Sequence, residues 1–257
     1  MSKKVVYYKD ELNDEFSSAK IKPIKIDEKY KYNHNYIWDI CSVALQNFFS
    51  MPIKFLYAKI KFNHRIVGKE KFKKCKKQGY FIYVNHTQEF ADTFIPSLTN
   101  YPKRNFFIVN PENISMKGLR HLVELLGAIP VPGNIKATMN FKDIIKKHIS
   151  KRHSITIYPE AHIWPYYTKI RNFKDVSFKY PVELNVPIYT ITNTYQLIEK
   201  EHNNNKIQIT SYVDGPFYAD DNMSRKNAQK NLQNTAYETM CKRSKNSNYE
   251  YIKYVKI

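Results

Sequence analysis

Glycine is scarce in this chain, with six among 257 residues. None stands in the G-x-G-x-x-G or G-x-x-x-x-G-K-[S/T] spacing by which a backbone cradles phosphates, so a nucleotide-binding loop of either kind is excluded. Cysteine is scarcer still. Cys41, Cys75 and Cys241 are odd in number and far apart, with no C-x-x-C pair and no Cys/His metal spacing. That predicts neither a disulfide framework nor a bound metal, and points to reduced thiols in a cytosolic setting. No apolar run approaches the length that spans a bilayer, about 18 residues or more. The opening "MSKKVVYYKDELNDEF" lacks the apolar stretch of a secretory signal, "MSKK" is not a myristoylation site, and "KYVKI" offers no cysteine to prenylate.

Acidic residues are also in deficit. Asp and Glu number 23 against 42 Lys and Arg, a formal charge of +19. Such a balance favours contact with a polyanion, either nucleic acid or an anionic membrane surface. Aromatics are plentiful: 21 Tyr and 15 Phe, within a hydrophobic content of 42%, exclude a disordered chain. A chain of this length buries a sizeable core.

Residues 1–30 are charged and weakly periodic, which predicts a loosely held arm. Residues 36–60, "YIWDICSVALQNFFSMPIKFLYAKI", are rich in large apolar side chains, with Pro52 expected to separate two short helices. Two readings fit this segment: a hairpin packed into the core, or an interfacial element whose apolar face dips into lipid while its lysines meet anionic headgroups. From residue 80 onward, short apolar runs alternate with helical patterns. Strands are predicted at 80–86, 105–110, 127–131, 154–160, 186–196 and 206–217. Helices are predicted at 90–100, 115–126, 135–150, 174–184 and 224–243, the last opened by Ser224 and placing Ala228, Leu232, Ala236 and Met240 on one face. The "HNNNK" stretch reads as a turn. Continuous apolar strands separated by helices predict a mixed, largely parallel α/β sheet buried on both faces, with an N-terminal helical hairpin. The expected division is an arm with interfacial helices over 1–60 and an α/β catalytic domain over 61–257.

The chemistry gathers in two stretches. In "YFIYVNHTQEFADTF" an apolar run ends on His86, with Glu89 and Asp92 following. Open α/β sheets bind ligands beyond the carboxyl ends of their strands. A neutral imidazole there can take a proton from a hydroxyl, provided a carboxylate holds its tautomer. A histidine that caps a helix without chemistry fits the same residues. The second stretch, "ITIYPEAHIWPYYTKIRNFK", is again a strand, ending at Tyr158-Pro159-Glu160 and followed by His162, Trp164, Tyr166, Tyr167, Lys169 and Arg171. Two rim carboxylates and a histidine on separate strands favour a catalytic site.

Together these stretches resemble the glycerolipid acyltransferase family, the lysophosphatidic acid and glycerol-3-phosphate acyltransferase group. Its first motif, Asn-His, four residues, then Asp, is represented by Asn85-His86 and Asp92. Its second, Gly-x-Ile-x-Val-x-Arg, is similar to Gly127-Ala128-Ile129-Pro130-Val131. Its third, Phe-Pro-Glu-Gly-Thr-Arg and then Phe-Lys, resembles Tyr158-Pro159-Glu160-Ala161 and Phe173-Lys174, and its fourth opens on Val186-Pro187-Ile188. All four stand in the family's order over about residues 55–217. The departures are specific. Five residues separate His86 from Asp92 instead of four, so either the turn bulges by one residue or Glu89 is the partner; "ADTF" continues like the family's helix and favours Asp92. Ala161 replaces the motif glycine, and Ile163 and Pro132 stand where arginines grip the acceptor's phosphate.

The resemblance implies direct acyl transfer without a tightly bound cofactor, from acyl-CoA or acyl carrier protein to a lysophospholipid hydroxyl. His86 would be the base, Asp92 its orienting partner and Glu160 an acceptor-positioning group. Lys169, Arg171, Arg120 and Lys117 are candidates to replace the missing arginines. It also implies a cytoplasmic protein, peripheral on the inner face of the cell membrane. A glycolipid or other acceptor without phosphate is the first alternative. A basic nucleic-acid binder without catalysis, its tyrosines stacking on bases, is a second, against which stands the lack of any RNP-like or recognition-helix pattern. A third is an inactive relative that keeps the fold for lipid binding.

Overall fold

The structure is a computed structural model that describes residues 4–16, 21–32, 35–198 and 206–257. At its centre lies β3 (Tyr80–Val84), whose five residues are all buried. Successive side chains on a strand point to opposite faces, and here both faces are covered. Phe81 and Tyr83 join a core with helices α5 (Ile135–Ser150), α6 (Lys179–Leu184) and α7 (Arg225–Ser244). Tyr80, Ile82 and Val84 pack on the other side against Phe72 and Cys75 of a 3-10 helix over Lys69–Cys75. This is why the strand reads as an unbroken apolar run.

Beside β3 run β6 (Ser154–Ile157) and β7 (Ile188–Ile198), both parallel to it. Next to β6 come β4 (Asn105–Val109) and β5 (Ala128–Pro130), also parallel, while β8 (Lys206–Phe217) returns antiparallel to β7 and carries short β2 (Arg65–Val67). The seven-stranded order is β2-β8-β7-β3-β6-β4-β5, a mixed and largely parallel sheet as the sequence predicts. Helix α3 (Ala91–Asn100) follows β3 directly, and the short α4 (Arg120–Leu125) precedes β5. The predicted face of α7 is the buried one, and Ser224 accepts from Asn227 N as its cap. Most of the "HNNNK" turn lies outside the described residues.

Three expectations for the first 60 residues need correction. Residues 4–16 are not a loose arm: β1 (Lys4–Tyr8) pairs in parallel with β9 (Ile252–Lys256), and Phe16 packs edge-on against Trp164. Further along, Ile26 is buried against Ile114. Pro52 does not separate two helices. Helix α1 (Tyr36–Ala44) passes through one π-helical turn, Leu45–Phe49, into α2 (Ser50–Phe62), so the expected hairpin is one continuous rod, and Pro52, which has no N–H to give, follows shortly after that π turn. The expected domain boundary at 60/61 falls inside α2.

The α1–α2 segment is inverted relative to a helix in water. Its buried side carries Ser42, Gln46 and Lys54 beside Ala58 and Phe62. Its outer side presents Ile40, Phe48, Phe49, Ile53, Leu56 and Ile60, each between 52% and 69% exposed. Among the described residues no helix is long and apolar enough to cross a membrane.

One buried histidine, His148, and two half-buried ones, His64 and His153, disfavour the charged form. Burial lowers His64 to about 4, His153 to about 4 and His148 to about 2, the last stacked on Phe106 at 3.6 Å between ring centres. Below the ordinary histidine pKa of about 6.5 the unfolded chain takes up protons that the folded one refuses, so stability is lost as pH falls toward the folded values. The melting temperature is therefore expected to decline between pH 6.5 and 4. His64→Gln, which keeps a side chain able to reach the 2.8 Å contact with Ser211 Oγ, should flatten that decline; an unchanged slope would exclude His64 as a contributor.

Candidate active site

His86 leaves the carboxyl end of β3 and Glu160 leaves the end of β6, so the parallel pairing of these strands brings them together. Between His86 and α3 the chain makes a short loop, and Asp92 lies in the helix's first turn. Its Oδ2 accepts from Thr87 N at 2.8 Å, Gln88 N at 2.9 Å and His86 Nδ1 at 2.8 Å. A carboxylate only accepts, so Nδ1 carries a proton, and in the neutral imidazole Nε2 is the nitrogen with the free lone pair. Asp92 is 1% exposed and the imidazole 17%, so the dyad presents only the histidine to a substrate. The extra residue between them is accommodated here: both loop N–H groups turn inward onto the carboxylate. Glu89 is exposed in that loop, outside the bond to His86.

Tyr158 completes the seating of the dyad. Its ring stacks on the imidazole, 4.3 Å between centres and 25° from parallel. Its hydroxyl donates to the backbone carbonyl of Asp92. That carbonyl has no intrahelical donor because the residue four positions on is Pro96, which lacks an N–H. Neither partner was foreseen from sequence, although a proline four residues after a predicted helix-start aspartate is a readable signal for an orphaned carbonyl.

Glu160 and Arg171, expected at the acceptor, are turned inward. Glu160 Oε2 accepts from His86 N at 2.9 Å and Oε1 from Arg171 N at 2.8 Å, and its side chain is 1% exposed. Burial pushes its carboxyl upward, opposed by the Arg171 charge and by those two N–H groups. The Arg171 guanidinium is fully buried, 3.6 Å from Glu160, and donates to the carbonyls of His162 and Glu11. It therefore ties the N-terminal arm to the loop behind the histidine. Trp164, at the centre of that loop, stacks on Tyr254 of β9 and donates from its ring to Asp14 O at 2.8 Å. Ala161 adopts a left-handed φ of 65°, a conformation that a glycine would take without a steric cost.

Asn85 closes the other flank, exchanging both amide groups with the backbone of Asn193 on β7 at 2.8 and 3.0 Å. The remaining candidate cations are dispersed. Lys169 is exposed on the 160–171 loop and Lys117 on the approach to α4. Arg120 is held by Glu124 at 3.0 Å and lies over the Tyr30 ring, at the β5 edge of the sheet. Among the described residues no cluster of three metal-ligating side chains occurs.

A family model described as Acyltransferase matches residues 63–194, just over half of the chain, including the segments that carry His86, Asp92 and Glu160. The chain belongs to that acyltransferase family. Among solved structures, the 1-acyl-sn-glycerophosphate (LPA) acyltransferase PlsC from Thermotoga maritima superposes with a TM-score of 0.53. The alignment covers 84% of this chain and 98% of that one at 13% identity, a likeness of fold alone. No curated protein matches the sequence.

The loop that backs His86 rests on the buried Glu160–Arg171 pair, and removing one member of such a pair leaves the other charge unpaired. Arg171→Met is expected to cost about 3–5 kcal/mol of unfolding free energy, and Tyr158→Phe, which orphans the Asp92 carbonyl, about 1–3 kcal/mol. Urea unfolding measures both. A loss below ~1 kcal/mol for Arg171→Met would show that the pair does not hold the loop.

Proposed function

We propose that this acyltransferase moves a fatty acyl group from a thioester donor, acyl-CoA or acyl carrier protein, to the hydroxyl of a lysophospholipid of the 1-acylglycerol-3-phosphate type. The single observation that carries the proposal is the His86–Asp92 bond, which leaves Nε2 as a base at a strand terminus. In the proposed reaction Nε2 removes the acceptor's hydroxyl proton as that oxygen attacks the thioester carbonyl. Asp92 supports the imidazolium that forms. Collapse of the tetrahedral intermediate breaks the carbon–sulfur bond, and the departing thiolate receives the proton from Nε2. Thr87 and Gln88 N–H are engaged by Asp92, so the oxyanion would be met by N–H groups of the first turn of α3. Glu160, bonded to the backbone of His86, holds the base in place from behind.

The exposed apolar side of α1–α2 supports a further part of the reading: the protein sits on an anionic membrane surface, where its acceptor resides. A contiguous patch of this kind in water has no compensating partner, whereas at a bilayer the side chains enter the acyl boundary and the surplus of lysine meets headgroups. In this reading the protein is peripheral, on the cytoplasmic face.

A second acceptor class is favoured by one observation. Arg171 is buried and Arg120 is paired with Glu124, so neither offers a free guanidinium to a phosphate. A glycolipid hydroxyl would need none. Mass analysis of products from a panel of lysophospholipids and glycolipids, with labelled acyl-CoA and acyl carrier protein, separates the two.

Two outcomes test the core of the proposal. His86→Ala should abolish transfer and Asp92→Asn lower kcat by a factor on the order of 10²–10⁴, while Glu89→Gln stays within about twofold; retained turnover in His86→Ala would sink the assignment. For the membrane, Phe49→Ser combined with Leu56→Ser should weaken liposome partitioning on the order of tenfold, since each removes part of an apolar side chain's ~1.5–3 kcal/mol of burial. Undiminished partitioning would return this face to another role.

A further inference from the structure

Under the inner side of α2, well away from His86, a narrow pocket is lined by Asn47, Lys54, Ser97, Tyr101, Lys103 and Asn105, among others. Asn105 opens β4 and is level with Ser154 and Tyr80, the first residues of their strands, whereas His86 lies two residues beyond the last residue of β3. The five-residue strand and the start of the loop separate the two levels, about 20 Å at roughly 3.3 Å per residue. The pocket is therefore a separate place in the molecule.

Two of its buried donors stand out. Lys54 is 5% exposed, and among the described residues its ammonium reaches only Ser97 Oγ, at 3.4 Å. Asn105 is 4% exposed; its Oδ1 faces Ser154 and Thr156, while its Nδ2 has no partner. Lys103 lends charge without a free proton, since its Nζ donates to the carbonyls of Lys76, Gln78 and Arg152. Burial lowers the Lys54 pKa to about 8, and no carboxylate among its described neighbours holds it up. A water would satisfy the amide of Asn105 but leave the Lys54 charge unbalanced; an anion does both. The space admits a single oxygen, so a larger oxyanion would insert one oxygen and keep its body at the mouth. The lining includes half-buried Asn47 in the π turn, directly before Phe48 and Phe49 of the outward apolar side.

We propose that Lys54, Asn105 and Ser97 form a binding site for an oxyanion of the phosphate class, supplied by the headgroup of an anionic phospholipid or by free phosphate. The lipid source rests on the membrane reading of α1–α2; the chemistry of the pocket does not. A headgroup held here would fix the depth and rotation of α2 on the bilayer, beyond what the general surplus of lysine can do.

The test uses the full chain, Lys54→Met, and Lys59→Met as a control that loses the same charge from the exposed side of α2, where Lys59 bonds Asn63. Two measurements are made: the ratio of binding to phosphatidylglycerol-containing over pure phosphatidylcholine vesicles, and the melting temperature with and without inorganic phosphate. Lys54→Met is expected to lower the vesicle ratio about fivefold and Lys59→Met less than twofold. Phosphate should raise the melting temperature of the unaltered protein and of Lys59→Met, but not of Lys54→Met. Lys54→Met without phosphate should melt no lower than the unaltered chain, since it removes an unpaired buried charge, and a lysine kept only for packing would give the opposite. Either the vesicle or the phosphate difference upholds the site and identifies its source. If both are absent, the pocket holds water and the proposal is overturned. An unaltered protein that binds neither vesicle refutes the membrane reading, and the phosphate measurement then decides the pocket alone.

Discussion

One carboxylate oxygen organises the centre of this molecule. Oδ2 of Asp92 gathers the backbone N–H groups of Thr87 and Gln88 and the side chain of His86. Without it the loop after β3 would bring buried donors to the sheet rim with nothing to accept them. With it, the loop closes, α3 starts at a defined residue, and the imidazole is held in one tautomer. Structural satisfaction and chemical poise therefore come from the same atom. Pro96 and Tyr158 extend this arrangement: the proline frees the carbonyl of Asp92 and the tyrosine takes it, while its ring covers the histidine. The imidazole is held on one side by the carboxylate and on another by an aromatic ring, which leaves Nε2 free for the proposed role.

Behind the dyad stands a second layer of buried charge. Glu160 meets the backbone of His86, Arg171 meets Glu160, and the carbonyls of Glu11 and His162 complete the guanidinium's partners. Ion pairs of this kind add little net stability but are costly to break, so they set position more than they add strength. The termini belong to this layer. β1 and β9 form a parallel ribbon, and Trp164 is packed between Tyr8, Phe16 and Tyr254. The loop that carries Glu160 is thus clamped by residues from both ends of the chain.

The α1–α2 segment follows the opposite logic. It buries a serine, a glutamine and a lysine and leaves phenylalanines, isoleucines and a leucine outside. In water alone that distribution opposes the hydrophobic effect. It becomes favourable where the outer medium is itself apolar, which links the shape of this segment to the lipid chemistry proposed for the site. The π turn at Leu45–Phe49 lets one continuous helical rod keep this orientation through a change of pitch.

Much of the sheet was legible in the residues, because five-residue apolar runs flanked by helical periodicity permit little else. His86 at a strand end, the companion Glu160 and the face of α7 were legible for the same local reason. Other features depended on where distant segments meet. The pairing of Lys4–Tyr8 with Ile252–Lys256 joins the two ends of the chain and leaves no local pattern. Whether Asp92 or Glu89 serves the histidine depends on the residue at which α3 begins, and that is decided by loop N–H groups seeking one acceptor. Glu160 and Arg171 carry charges that composition assigns to the surface, yet the tertiary structure turns them inward because the backbone N–H of His86 needs a partner there. The sequence by itself determined the class of fold and the groups able to do chemistry. Only the tertiary structure decided which of those groups reach the surface and which are buried behind them, since burial and hydrogen-bond partners are properties of the packed chain.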